Sequence, residues 1–315
     1  MIETKTKTSE DVLTDEKVSA CPDCPCCGTS SVLLVKSTDS NRHTTDLTFT
    51  YYRCDGCGLV FMHPIPQDMH PFYKGGYQEI PSSLEELRTL ASKEKYRMAP
   101  ILRHKTEGKL LEIGPWIGMF SCNAKDAGFD VTVMDMDERC LQFLRNTVGI
   151  RTFQSNEPAE TLASMTERFD VIALWHCLEH LPEPWLVIER AVEKLAPGGV
   201  LLIAIPNIES YEFSVFKSAW RHLDTPRHLY FYSSDSLVNL CRKNGLKKLE
   251  VATKDELSIA LSQDFWFHWA SLKTSSVFFA KVLARLGFYF GQFRQRNTED
   301  SGSGITAVFQ RPLNS

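Results

Sequence analysis

This chain has no unbroken apolar run of the ~20 residues that a membrane-spanning helix needs. The run nearest to that, Val277–Gly291 toward the C-terminus, is interrupted by Lys281 and Arg285. Its first twenty residues are polar, mixed in charge and without periodicity or an apolar core, so they read as a disordered tail rather than a secretory signal. A cytoplasmic location is the default expectation. There is no transmembrane segment to anchor the chain, and peripheral membrane contact stays open. No clustered basic stretch occurs and the net charge is -4, which argues against a nucleic-acid partner. No internal repeat is visible.

What is present is ordinary for a soluble protein with ample core: 315 residues, 43% hydrophobic and 23% charged. The ten cysteines are uneven. Six lie before residue 58, and Cys122, Cys140, Cys177 and Cys241 are scattered among apolar residues as inert core thiols. In a reducing compartment the early cluster points to metal rather than disulfides. Cys24, Cys27 and Gly28 match Cys54, Cys57 and Gly58 as two C-x-x-C-Gly knuckles. Four thiolates would close a tetrahedral structural Zn2+ site, and the unit resembles a zinc ribbon. Cys21 with Cys24 is an alternative first knuckle; the matching glycine favours Cys24 with Cys27. A closed site leaves no position for catalysis, so the module is expected to serve substrate recognition or docking.

Four segments follow from this reading: a tail over 1–20, a zinc-ribbon-like β module over 21–62, a linker and helix over 63–108, and an α/β domain over 109–315. The helix is capped by Ser82 or Ser83 and runs to about His104. From Lys109 the pattern alternates. Strands are predicted at 109–113, 130–135, 150–154, 169–175, 199–205, 246–252 and 304–310, with helices near 118–127, 137–147, 184–196 and 234–244. This is a doubly wound, seven-stranded, mostly parallel sheet with helices on both faces. Residues 253–303 insert before the last strand and are dense in aromatics. They are read chiefly as core or lid packing; a dimer surface and an interfacial membrane helix remain alternatives.

The ligand end of such a sheet is its carboxyl edge. Glu112, Gly114, Pro115 and Gly118 lie at the end of the first strand of the domain, and Asp135 and Met136 at the end of the second. A dinucleotide needs G-x-G-x-x-G for its pyrophosphate. Here Trp116 stands at the middle position, which disfavours a nicotinamide dehydrogenase and suits a nucleoside ligand without phosphates.

These motifs carry a resemblance to the class I S-adenosylmethionine-dependent methyltransferases. LLEIGPWIG is similar to that family's glycine loop and VTVMDMD to its ribose-binding strand. FDVIALWHCLEHLPEP is similar to the fourth-strand motif, and LAPGGVLLIAIPN to the approach to strand five. The pair WH-x-LEH and Trp220-Arg-His-Leu-Asp-Thr-Pro-Arg-His-Leu-Tyr-Phe-Tyr-Ser233 resembles one subgroup. The resemblance implies S-adenosylmethionine as cofactor, with Gly114 and Gly118 beside its methionine and Glu112 anchoring the loop or the amino group. Asp135 would take the ribose hydroxyls, Met136 the adenine, and Trp175 would lie beside the reacting centre. Ser155 and Asn156 fall where the family has an adenine-facing acid or amide, a poor match.

Methyl transfer needs a base only where the acceptor must lose a proton. His176, at the end of the fourth strand, is the leading candidate, with His180 and His228 behind it. Glu179 with His180, and His222 with His228, are equally readable as loop-fixing groups. The expected activity is methyl transfer to a small-molecule acceptor such as a sugar, a natural product or an envelope precursor. RNA methylation, and a non-enzymatic zinc-ribbon binder, are the alternatives.

Overall fold

The structure is a computed structural model, and it describes residues 21–73, 79–254, 256–297 and 300–313. The polar tail over 1–20 lies outside the described residues. Three strands open the chain: β1 (Ser31–Thr38), β2 (Thr48–Cys54) and β3 (Val60–Met62). Five follow from Lys109: β4 (Lys109–Ile113), β5 (Asp130–Asp135), β6 (Arg151–Gln154), β7 (Phe169–Trp175) and β8 (Leu195–Pro206). The last three are β9 (Tyr230–Phe231), β10 (Lys247–Ala252) and β11 (Gly304–Gln310).

Seven of these form one sheet in the order β10-β11-β8-β7-β4-β5-β6. The neighbours from β8 to β6 pair in parallel, and β11 runs antiparallel to both β8 and β10. This is the doubly wound, mostly parallel seven-stranded sheet expected from the alternating pattern. β7 and β8 read as continuous apolar runs because both of their faces are covered. Alternate residues divide between two cores. Ile172, Leu174, Ile203 and Ile205 face one core, with the helix Pro184–Lys194 and the helix Ser234–Lys243 packed above them. Val171, Ala173, Leu202 and Ala204 face the other, under the helices Leu84–Ser92 and Met119–Asp126.

The helix expected from a Ser82 or Ser83 cap to about His104 starts at the Ser83 cap but breaks. Ser83 accepts from Glu86 N at 3.2 Å, and the Glu86 carboxylate accepts from Ser82 N at 2.7 Å, a reciprocal cap. The helix ends at Ser92, and a 3-10 turn (Lys95–Met98) and a short helix (Ala99–Leu102) follow. Pro100 has no N–H to donate back into a preceding turn. Two short helices, Pro158–Ser164 and Tyr211–Phe216, escaped the periodicity reading, being too short to show it.

The N-terminal strands form a second sheet in the order β1-β2-β3-β9. Its fourth strand, β9, comes from the loop that follows β8 nearly 170 residues later: Val60 pairs with Phe231 and Phe61 with Tyr230. The insertion is a helical hairpin, Glu256–Ser271 and Val277–Asn297. Its inner side packs Trp266 edge-on against Phe216, with ring centroids 4.7 Å apart. At its base Glu212 is buried and accepts from Ser262 Oγ and from Ser303 Oγ.

Candidate active site

The glycine turn closes between β4 and the helix Met119–Asp126. Gly114 and Gly118 both have left-handed backbones, with φ of 73° and 87°. A Cβ on Gly114 would lie 2.4 Å from Cys177 Sγ, and one on Gly118 2.3 Å from a Leu144 methyl. Both positions therefore exclude a side chain for two reasons at once, backbone and space. Trp116 also has a positive φ, 53°, and is half-exposed. The turn thus reaches its shape with tryptophan at the position where the sequence pattern would place glycine. Pro115 stands between the two, and its carbonyl accepts from Gly118 N at 2.8 Å.

Glu112 is buried on the β4 face that carries Trp175, and Ser121 Oγ donates to it. Burial pushes its carboxyl up to about 8, well above the usual range. Through Ser121 it ties β4 to the helix Met119–Asp126. Asp135 ends β5 with its carboxylate accepting from Asp137 N at 2.9 Å, and burial raises its pKa. Met136, beside it, is largely exposed. Ser155 is spent locally: its hydroxyl accepts from Thr161 Oγ1 at 2.7 Å and from Glu157 N at 3.1 Å, just ahead of the next helix.

Arg97 is the residue that sequence reasoning missed. It is buried, its guanidinium lies 5.3 Å from the centroid of the Trp175 ring, and Glu94 stands 3.1 Å away. Its Nε and the indole Nε1 of Trp175 are buried donors without a hydrogen-bond acceptor among the described residues. Two orphaned donors of this kind have the chemistry to receive a carboxylate. With Lys93, Lys95 and Arg103 close by in the chain, nothing local marks it out.

On the other side of Gly114, β7 ends in a cluster of histidines around Glu179. His176 has a φ of 49°, a conformation that costs a Cβ-bearing residue of order 1 kcal/mol or more and that collects at functional sites. Its Nδ1 is 3.6 Å from Glu179 Oε1, and His228 Nε2 is 4.0 Å from the same oxygen. Both distances are longer than hydrogen bonds. Glu179 is wholly buried; burial raises its carboxyl, but His176, His228 and His180 pull it down further, so it is an anion. Burial and the neighbouring His228 bring His180 down to about 4, leaving it neutral at pH 7. His180 Nδ1 donates to Arg227 O at 3.0 Å, and His228 Nδ1 donates to His222 O at 2.8 Å. Glu179, His180 and His228 each offer a ligand atom within 4.8 Å of the others, a set that also fits a cation.

The loop carrying His228 is held from the N-terminal module. Arg227 is completely buried and donates to Asp39 at 2.8 Å and to Asp224 at 2.9 Å. Burial lifts the carboxyl of Asp39, but the bonds from Arg227 and Thr44 hold it at about 2. Tyr51 Oη donates to His228 O at 3.0 Å. In the same module the sulfurs of Cys24, Cys27, Cys54 and Cys57 lie within 4.8 Å of one another, while Cys21 is exposed and outside the group. Of the two register choices the structure assembles the one with matched glycines.

Residues 83–251 match a family model described as a methyltransferase domain. The ubiquinone biosynthesis O-methyltransferase of Cereibacter sphaeroides (strain ATCC 17025) is 30% identical over 151 residues, covering 45% of this chain and 61% of that protein. Its counterpart in Aromatoleum aromaticum is 26% identical over 157 residues, covering 45% of this chain and 65% of that one. The chain thus spans a little over three fifths of the length of these curated relatives. Among solved structures, a SAM-dependent methyltransferase from Archaeoglobus fulgidus has the same fold at 16% identity, with a TM-score of 0.50 over 70% of this chain and 94% of that one. Glycine turn, β5 acid and strand order agree with the match, and this chain belongs to the methyltransferase-domain family.

Proposed function

We propose that this chain transfers a methyl group from S-adenosylmethionine to an oxygen of a small-molecule acceptor. The observation that carries this reading is the contact between its two halves. Gly114, in the donor turn, lies against Cys177, which sits between His176 and Glu179. A donor seated on the turn therefore meets the histidine cluster directly. S-adenosylmethionine supplies an activated methyl group, and the protein aligns the partners and handles the proton.

The residues fit that donor. Arg97 Nε and Trp175 Nε1 would receive its carboxylate, Asp135 would take its ribose hydroxyls, and the absence of side chains at Gly114 and Gly118 leaves the turn open. Met136 would lie beside the adenine. On the acceptor side His176 Nδ1 faces the Glu179 carboxylate at 3.6 Å, which favours the proton on that nitrogen and leaves Nε2 as the base. Glu179 steadies the imidazolium once the proton is taken. His180 and His228, bonded to backbone carbonyls, hold the Arg227 loop in register rather than moving protons. The printed names of the curated relatives, O-methyltransferases, support an oxygen acceptor, and a sugar or aromatic natural product with a free hydroxyl is the class to test.

In the same proposal Cys24, Cys27, Cys54 and Cys57 hold a structural Zn2+, which supplies rigidity to a module too small for its own core. Metal analysis of the purified protein should return zinc near one equivalent, and Cys57→Ser should lose it.

The test of the activity is mass spectrometry of hydroxylated acceptors incubated with isotopically labelled methyl donor. Wild type should label one class. His176→Ala should slow transfer by about 100- to 10,000-fold. Unchanged turnover in that variant would remove His176 as the base.

A further inference from the structure

Among the described residues, no element covers the outer face of the helix Val277–Asn297. Phe278, Leu286 and Tyr289 are 70%, 65% and 66% exposed, and Phe279 and Val282 are also exposed. At about 100° per residue these five fall within one arc of roughly 100° along the helix. The opposite side is firmly seated: a Cβ on Gly287 would lie 2.1 Å from the Trp266 ring, and Ala280 and Ala284 are buried. The exposed face is therefore the outside of a packed element, not a loose one. Exposed apolar area of this extent marks a binding surface.

Charge says what binds there. Between Leu272 and Asn297 the sequence holds five basic residues and no acid, in a chain whose net charge is -4. Lys281 and Arg285, both exposed, border the apolar arc. We infer that this face docks on an anionic lipid bilayer, lying in its surface with the aromatics among the acyl chains and the basic flank on headgroup phosphates. No helix among the described residues is long and apolar enough to cross a membrane, so the contact is interfacial. A second copy fits less well, because a twofold contact on this face would set Lys281 and Arg285 near their own equivalents. A docked hairpin also touches the acceptor side. Phe265 meets His222 edge-on at 4.7 Å, and the carbonyl of His222 holds His228.

The inference stands on the hairpin alone and survives failure of the methyl-transfer reading. Its test is co-sedimentation of the full chain with vesicles of phosphatidylcholine and phosphatidylglycerol, against vesicles of phosphatidylcholine alone. Wild type should pellet with the anionic vesicles, and added salt should weaken the binding. Phe278→Ser with Leu286→Ser should lower the affinity at least about tenfold. Lys281→Glu with Arg285→Glu should lower it by about fivefold for each charge removed. Each altered side chain is exposed, so both variants should keep the wild-type melting temperature. Equal binding to neutral vesicles, no binding to either, or full binding by either variant would overturn the inference. So would a stable dimer that the same substitutions dissolve.

Discussion

The proposed donor half and the proposed acceptor half of this site are built in largely opposite ways. Glu112, Gly114, Gly118 and Asp135 come from one continuous stretch of β4, turn, helix and β5, held by local backbone geometry and parallel pairing, with only Arg97 and Trp175 joining from outside it. The acceptor half has no such local unit. His176 and Glu179 end β7, His228 sits on a distant loop, and that loop is fixed by Asp39 and Tyr51 of the N-terminal module. Local construction makes the donor half tolerant of damage elsewhere. Long-range construction makes the acceptor half depend on one buried guanidinium. The small β module, which reads in the sequence as a separate appendage, supplies that dependence through β9 and the Arg227 bridge.

Breaking the bridge should have the largest effect. Arg227→Met leaves Asp39 and Asp224 buried without their cation and should cost about 3–5 kcal/mol in urea unfolding. The acceptor half should suffer more than the donor half: any folded protein that remains should bind S-adenosylmethionine better than it transfers methyl groups. Glu179→Gln comes next, slowing turnover by about a hundredfold or more while leaving donor affinity unchanged. The reverse arm is Gly118→Ala. A Cβ there meets Leu144 in a backbone conformation that side chains avoid, and donor affinity should fall by about tenfold or more. Calorimetry reads that loss, and the histidine cluster should be untouched.

Acid separates the halves more gently. Because Asp39 is held at about 2 in the fold, its pairing with Arg227 stabilises fully above the ordinary carboxylate pKa of about 3.9. That contribution is lost as pH falls from about 4 toward 2. The stability gap between wild type and Asp39→Asn should therefore shrink over that window in acid titrations followed by circular dichroism; a constant gap would contradict the assignment. Trp116→Gly should do least. It relieves a left-handed tryptophan but loosens the unfolded chain, and the two changes nearly cancel, to within about 1 kcal/mol.

The same contrast explains what was legible in the sequence. The donor half announces itself because its signals are periodic and local: an apolar strand, two glycines four apart, a second strand ending in Asp135. All seven strands of the main sheet fall within a few residues of where the alternation put them, β8 starting earliest. Asp39 gave no signal, because nothing near it in the chain says that it will meet Arg227, 188 residues away. Arg97 was hidden for a related reason, as its role appears only when its helix lies over Trp175. The pairing of β3 with β9 involves two strands too short to carry a pattern of their own. His176 was visible as a residue, but its left-handed backbone and its approach to a buried Glu179 were not.

The central claim is that a local donor cradle works beside a separately built acceptor cluster. Calorimetric titration of S-adenosylmethionine into wild type and into Glu179→Gln tests it most directly. The account expects saturable one-site binding in both proteins, with dissociation constants that agree within error. Absence of binding in wild type, or its loss on changing Glu179, would contradict it.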